Sequence, residues 1–351
     1  MSKILSIVIP TYNMEKYLDR CLSLLVADEA HMSALEVLVI NDGSKDRSSE
    51  IAHSYEARYP DTFTVVDKEN GNYGSCVNKG LEIATGKYFR ILDADDWFDT
   101  EGLCKLIDNL KDASSDAFFT KRSVHNGESV TGSHYPSFFS PSRSLSADEF
   151  AALEDKPYLS MHCLTFKTEL LRRIGLKLQT GISYTDTEYC YYPLSIVNSM
   201  TFLDFVLYHY TADRPGQTMS HEKLVKSIGD MAKVIARMLD SAKQSLTPLQ
   251  KIYLKDSLKT FFSIALTSCP KTPASDSAVI AVHKRLKDVP GMTEYADSLM
   301  LDRIHYVRLW RKTGIFDTCP LLQAYHAIYS CCHNIFKEIN GQDKHHNSLL
   351  Q

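Results

Sequence analysis

Four short apolar runs, each followed by a polar turn, fill the first 92 residues. Between them lie segments with apolar residues at helical spacing, and this alternation leaves few folds open. Residues 5 to 10 read as a first strand. The turn Thr11-Tyr12-Asn13 then leads into Leu18, Cys21, Leu22, Leu25 and Val26, with Asn13 as the expected N-cap. Residues 35 to 40 form the second run, ending at Asn41-Asp42-Gly43-Ser44. Asp46 or Ser48 caps a following helix with Ile51, Ala52, Tyr55 and Tyr59 on one face. Residues 63 to 66 give a third strand, 75 to 84 a helix with Val77, Leu81 and Ala84 inward, and 87 to 92 a fourth strand. Strands alternating with helices of this length predict an α/β fold with a doubly wound, mostly parallel sheet. Ligands bind such sheets outside the carboxyl ends of the strands, where residues 10–13, 41–44 and 93–96 all fall.

Beyond the fourth strand the pattern loosens. Residues 120 to 146 read as a long loop or short hairpin across the site. Ser146 and Glu149 have the spacing of a capping box and open a helix. A strand over 158–166, a helix over 167–174 stopped by Gly175, a helix opening near Ser183 and kinked at Pro193, and a strand over 200–210 follow. From about residue 222 the periodicity becomes helical over 224–242, 248–266, 277–287, 299–310 and 320–336. The expected organisation is therefore an α/β unit over residues 1–221 and a helical region over 222–351.

Asp93, Asp95 and Asp96 place three carboxylates directly behind the fourth strand. Buried carboxylates are costly without a counter-charge. Hard oxygen ligands at a strand end suit Mg²⁺ or Mn²⁺ shared with substrate phosphates. The chain has no G-x-x-x-x-G-K-[ST] loop and no G-x-G-x-x-G after the first strand, so no glycine-rich loop cradles the phosphate.

Four stretches in series, residues 6–13, 41–46, 69–80 and 93–97, resemble the motifs of family 2 glycosyltransferases of the GT-A fold, of the type that builds bacterial surface polysaccharides. The resemblance covers roughly residues 4 to 220 and implies a division of residues 1–221 at 98/99 into a nucleotide-sugar half and an acceptor half. It implies inverting transfer of a hexose or N-acetylhexosamine from a UDP-sugar to a hydroxyl of a growing glycan or lipid-linked saccharide. By position, Pro10, Thr11, Tyr12, Asp42, Asn70, Asn78, Asp93, Ala94 and Arg214 would bind the donor. Asp95, with Asp93, would hold Mn²⁺ or Mg²⁺, and Asp186 would be the catalytic base. Asp96, Trp97, His162 and Glu188 are expected near the sugar or the acceptor, and His209 or His221 could complete a metal shell. One departure stands out: Val77 occupies a position where many relatives carry Arg, with Lys79 or Arg90 as substitutes.

Single-base chemistry separates this expectation from glycoside hydrolysis, in which a carboxylate pair flanks the bond. A sugar-nucleotide-forming nucleotidyltransferase would use a similar sheet but needs a basic glycine-rich loop after the first strand. A non-catalytic glycan-binding protein on the same fold would have no use for Asp93, Asp95 and Asp186 together.

Charge and composition bound the partners. The net charge of -4 conceals an acidic part up to residue 220 and a basic remainder, which fits poorly with nucleic acid. The basic and aromatic residues over 304–312 and the aromatics over 325–336 suit peripheral membrane contact or a homodimer seam. The nine scattered cysteines show no C-x-x-C pair, and no apolar stretch reaches 18 residues. The expected location is the cytoplasm, and the inner membrane face if the last helices lie on lipid.

Overall fold

The computed structural model of the chain describes residues 2–132, 135–139, 141–212, 221–268 and 273–299. Its first part runs β1 (Leu5–Thr11), α1 (Leu18–Ser23), α2 (Glu29–Ala34), β2 (Leu35–Asn41), α3 (Ser48–Arg58), β3 (Phe63–Asp67), α4 (Asn72–Ile83) and β4 (Tyr88–Ile91). There follow β5 (Trp97–Phe98), α5 (Thr100–Lys111), β6 (Ala117–Asn126), β7 (Ser129–Gly132), β8 (Arg143–Ser146), α6 (Ala147–Ala152) and β9 (Leu164–Lys167). The rest comprises α7 (Thr168–Arg173), α8 (Asp186–Tyr191), β10 (Ser199–Thr211), α9 (His221–Ala242), α10 (Pro248–Ser263), α11 (Pro273–Leu286) and α12 (Met292–Ser298).

One sheet runs in the order β3-β2-β1-β4-β9-β6-β10-β5, with β7 on β6 and β8 on β10. Strands β3, β2, β1 and β4 are mutually parallel, as the alternation predicts, and β6 and β10 are parallel to each other. β9 enters antiparallel between β4 and β6 and joins the two parallel groups. β1 is central and buried on both faces. Ile7 and Ile9 pack with Val37 and Val39 on one face, while Val8 packs with Leu38 and Ile40 on the other. Each such side chain contributes about 1.5–3 kcal/mol by leaving water. α4 lies close against this second face: a Cβ on Gly80 would meet Val8 at 2.5 Å, so only glycine permits the contact. Helices α9 to α11 extend the same apolar cluster.

Several local expectations change. Asn13 is not an N-cap: it has φ +55°, and its side chain accepts from the Lys45 N–H while Ser44 Oγ accepts its own N–H. Asp46 does tie down the start of α3, accepting from the N–H and hydroxyl of Ser48. α4 begins at Asn72 rather than 75, with Asn72 at φ +65°. The 120–146 stretch contains the hairpin β6–β7, a 3₁₀ turn at Ser137–Phe139, and β8. The strand expected over 158–166 is a 3₁₀ turn, Met161–Cys163, followed by β9. The capping box of Ser146 and Glu149 is present in both directions. At Pro193 the chain passes from α8 into the 3₁₀ turn Tyr192–Ser195, since proline removes a donor and α geometry cannot continue. The helices expected over 299–310 and 320–336 lie outside the described residues.

Candidate active site

The carboxyl ends of β1, β2 and β4 open side by side, and backbone bonds lock the loops that leave them. Asp42 donates its N–H to the Thr11 carbonyl at 2.8 Å, so the turns after β1 and β2 move as one. Thr11 is buried and its hydroxyl donates to the Ile9 carbonyl, whereas Tyr12 is 45% exposed at the mouth. Asp42 is buried. Its Oδ1 accepts from Lys68 Nζ at 2.5 Å and the Gly71 N–H at 2.9 Å, a basic partner the sequence did not single out.

Behind β4 the chain turns tightly, with the Asp96 N–H on the Asp93 carbonyl at 3.0 Å. Ala94 is packed inward. Asp95 is buried, and its carbonyl accepts from Arg20 and from the Thr211 hydroxyl, both at 2.9 Å. Asp96 is also buried. Its carboxylate accepts from the Tyr208 hydroxyl and the Thr211 N–H, both at 2.7 Å. Burial, then the charges of Asp95 and Asp93, push its pKa well above the carboxylate range. A cation would reverse that repulsion.

Asp93 faces the pocket. Its Oδ1 accepts from the Tyr73 hydroxyl at 2.9 Å, and His162 Nε2 stands 3.7 Å from its Oδ2. The histidine tautomer follows from its other side. Arg122, which can only donate, reaches His162 Nδ1 at 2.8 Å, and the Ser160 hydroxyl lies 2.7 Å from the same atom. The ring proton therefore sits on Nε2, toward Asp93. Ligand atoms of Asp93, Asp96 and His162 lie within 4.8 Å of one another. Asp93 and Asp95 are the expected pair, and Asp96 and His162 join Asp93 in this grouping. The two carboxylates fit a hard cation, while His162 in this tautomer offers a proton and not a lone pair on that side.

Asp186, the first residue of α8, shares this pocket. Its pKa is raised by burial first and by the Asp93 charge second, and His162 opposes the shift. Backbone N–H groups of Asp186 and Thr187 hold the carboxylate. The Tyr73 hydroxyl titrates far above its ordinary value because of burial and then the charges of Asp93 and Asp186 together. Tyr73 is thus bonded to Asp93 and lies within the field of Asp186.

Other expected residues do different work. Glu188 is fully buried: Gln179 donates to it through its backbone and side-chain amides, and Arg237 pairs with it at 2.8 Å. Two positions along a helix turn a side chain by about 200°, so Glu188 points away from the pocket that Asp186 faces. Asn70 donates to the Asp42 carbonyl, and Asn78 spends both amide atoms on the backbone of Leu178. Trp97 carries the Arg20 guanidinium at 3.9 Å and stacks on His209 at 5.3 Å, so its ring is spent on the protein. His209 lies beside His125 and Ser123, outside the carboxylate group. Arg90 does not substitute for the missing Arg. It is buried beneath β9, bonded to Thr165, Thr120 and the His162 carbonyl, with its pKa lowered to about 10 by burial. Lys79 pairs with Glu82, and Val77 is a core residue. Arg214 and the His221 side chain lie outside the described residues.

Residues 6–175 match the family model described as Glycosyl transferase family 2. An uncharacterized glycosyltransferase of Mycoplasma pneumoniae, the MG025 homolog, is 37% identical over 95 residues, covering 26% of this chain and 31% of that one. The minor teichoic acid biosynthesis protein GgaB of Bacillus subtilis is 29% identical over 172 residues, covering 48% of this chain and 19% of its own. These matches thus span less than a third of the relatives' lengths. Staphylococcus aureus TarS 1–349, solved in complex with UDP-GlcNAc, superposes with a TM-score of 0.64 at 19% identity, over 88% of this chain and 87% of that one. The fold is that of the GT-A glycosyltransferases, a mostly parallel sheet with C-terminal helices. Through residues 6–175 the chain belongs to glycosyl transferase family 2.

Proposed function

We propose that the protein transfers a hexose or N-acetylhexosamine from a UDP-sugar to a hydroxyl of a bacterial surface glycan or its lipid-linked precursor, with inversion at the anomeric carbon. The observation that carries this reading is the Tyr73 hydroxyl on Asp93 at 2.9 Å, with Asp186 near enough for its charge to act on the same hydroxyl. The UDP-GlcNAc complex of the structural neighbour and the teichoic acid role of one relative support the donor and acceptor classes.

Asp93, Asp95 and Asp96 are the carboxylates that would hold Mn²⁺ or Mg²⁺. Such a cation, when bound, neutralises charge on the departing diphosphate. Asp42 and the 10–12 turn line the base and ribose side, with Lys68 fixing the Asp42 carboxylate. His162 turns its Nε2–H toward Asp93, 3.7 Å from the carboxylate. Asp186 takes the proton of the acceptor hydroxyl as that oxygen bonds to the anomeric carbon. The bond from that carbon to the diphosphate breaks on the opposite face, and UDP leaves with the electron pair. No second carboxylate is needed as a nucleophile, consistent with Glu188 being locked in an ion pair. A cytoplasmic setting, with the acceptor presented at the membrane, suits this donor. Among the described residues no helix is long and apolar enough to cross a membrane.

Incubation with UDP-GlcNAc, Mn²⁺ and a teichoic acid acceptor tests the reading by proton NMR of the product. A β-linked sugar, formed from the α-linked donor and lost on adding EDTA, is expected. An α-linked product, or turnover indifferent to EDTA, overturns it.

A further inference from the structure

A cavity of about 400 Å³ lies away from the carboxylate pocket, among α7, the turn after α8, α9 and the start of α10. Its volume falls in the range of small-ligand sites. Lys177, Tyr192, Ser195, Arg237, Ser241 and Gln250 contribute to its wall, and no carboxylate does. We infer that this cavity binds a small phosphate-bearing polyol, at a site separate from the donor pocket.

Polarity on the wall argues for both parts of such a ligand. Arg237 and Lys177 bring two positive charges, and among the described residues only the first has a carboxylate partner, Glu188. The Tyr192 hydroxyl is shielded from water and has no hydrogen-bond partner among the described residues. A buried hydroxyl left unsatisfied costs about 1–3 kcal/mol, so it awaits an acceptor. These three donors suit an anion. Ser195 and Ser241 offer the opposite chemistry. Their hydroxyl protons are already given to the carbonyls of Tyr192 and Met238, which leaves lone pairs for a ligand's own hydroxyl groups. Inorganic phosphate at neutral pH brings few such donors and a neutral polyol brings no charge, so the wall favours the two joined.

The site is also tied to the catalytic helix. Arg237 lines the cavity and pairs with Glu188, two residues along α8 from Asp186. The two faces of this short helix therefore serve two pockets. Nothing in the inference depends on which sugar the donor carries, and its test is read without turnover.

Calorimetry on the full chain with glycerol 3-phosphate, inorganic phosphate and glycerol decides it. Arg237 is unsuitable for substitution because its loss strands Glu188 in the interior. Lys177→Glu and Tyr192→Phe are used instead: Lys177 is exposed, and the Tyr192 hydroxyl has no internal bond to lose. Glycerol 3-phosphate is expected to bind more tightly than either other probe. Its affinity should fall about tenfold or more in each variant, the loss of one hydrogen bond to a charged group, while UDP affinity stays unchanged in both. The inference is overturned if glycerol 3-phosphate fails to bind, if inorganic phosphate binds as tightly, or if neither variant weakens binding.

Discussion

At the residue scale the decisive group is Asp186, whose carboxyl is harder to ionise than a free aspartate because it is shielded and faces Asp93. A raised folded pKa means that the protonated form stabilises the fold. That contribution is complete below the unfolded pKa, about 3.9, and is lost as pH rises through the folded value. The ionised form that the proposed base role requires is thus the one the fold favours less. Asp186→Asn should therefore melt higher than the native protein at pH 7, with the gap shrinking toward pH 4. The acid limb of kcat/KM should lie above 3.9. Differential scanning calorimetry and a pH–rate profile check these; a lower melting temperature at pH 7, or a limb at the unperturbed value, would count against Asp186 as the base. Asp93 and Asp186 were legible because each sits in a short motif at a strand or helix end. Tyr73 and Tyr208 also lay inside quoted stretches, but their roles were hidden. A tyrosine becomes a carboxylate's donor only once α4 and β10 are placed against β4. The ion pair of Glu188 was hidden for the complementary reason: its partner, Arg237, lies 49 positions away on another helix.

At the scale of elements, the first four strands and their helices followed from spacing, because parallel strands buried on both faces write continuous apolar runs. β6 was obscured by its polar second half, Lys121 to Asn126, where it leaves the core to form a hairpin. β9 was placed too early because a 3₁₀ turn precedes it. No local signal announces that it runs antiparallel between β4 and β6. Among the loops, the segment after α7 closes on α4 so tightly that a Cβ on Gly74 would stand 2.0 Å from the Gln179 carbonyl oxygen. The same two segments share the bond from the Gly181 N–H to the Gly71 carbonyl. Gly74→Ala should destabilise by about 1–3 kcal/mol, the usual cost of overpacking. It should also weaken UDP binding by displacing Gly71 from Asp42. Urea denaturation and UDP calorimetry on this variant measure both, and native stability would mean that the loop yields freely.

At the scale of the whole molecule, the sheet separates two apolar layers, and its carboxyl edge gathers charge that neither layer can hold. The fold class was legible from the alternation of strands and helices. The joining of the C-terminal helices to the sheet's apolar layer was not, because amphipathic periodicity shows that a face is buried without showing against what. The cysteines behave as their scatter suggested: Cys21, Cys76, Cys104, Cys163 and Cys190 are free thiols. On the proposed reading the architecture divides the labour across one pocket, with carboxylates behind β4 on the donor side and Asp186 at the start of α8 as the base. The most direct test is the rate of UDP release from UDP-GlcNAc by Asp186→Asn, with Mn²⁺ present and calorimetry showing the donor site filled as in the native protein. The account predicts unchanged affinity and a rate lower by about 10²–10⁴. Release at the native rate from a filled site would contradict it.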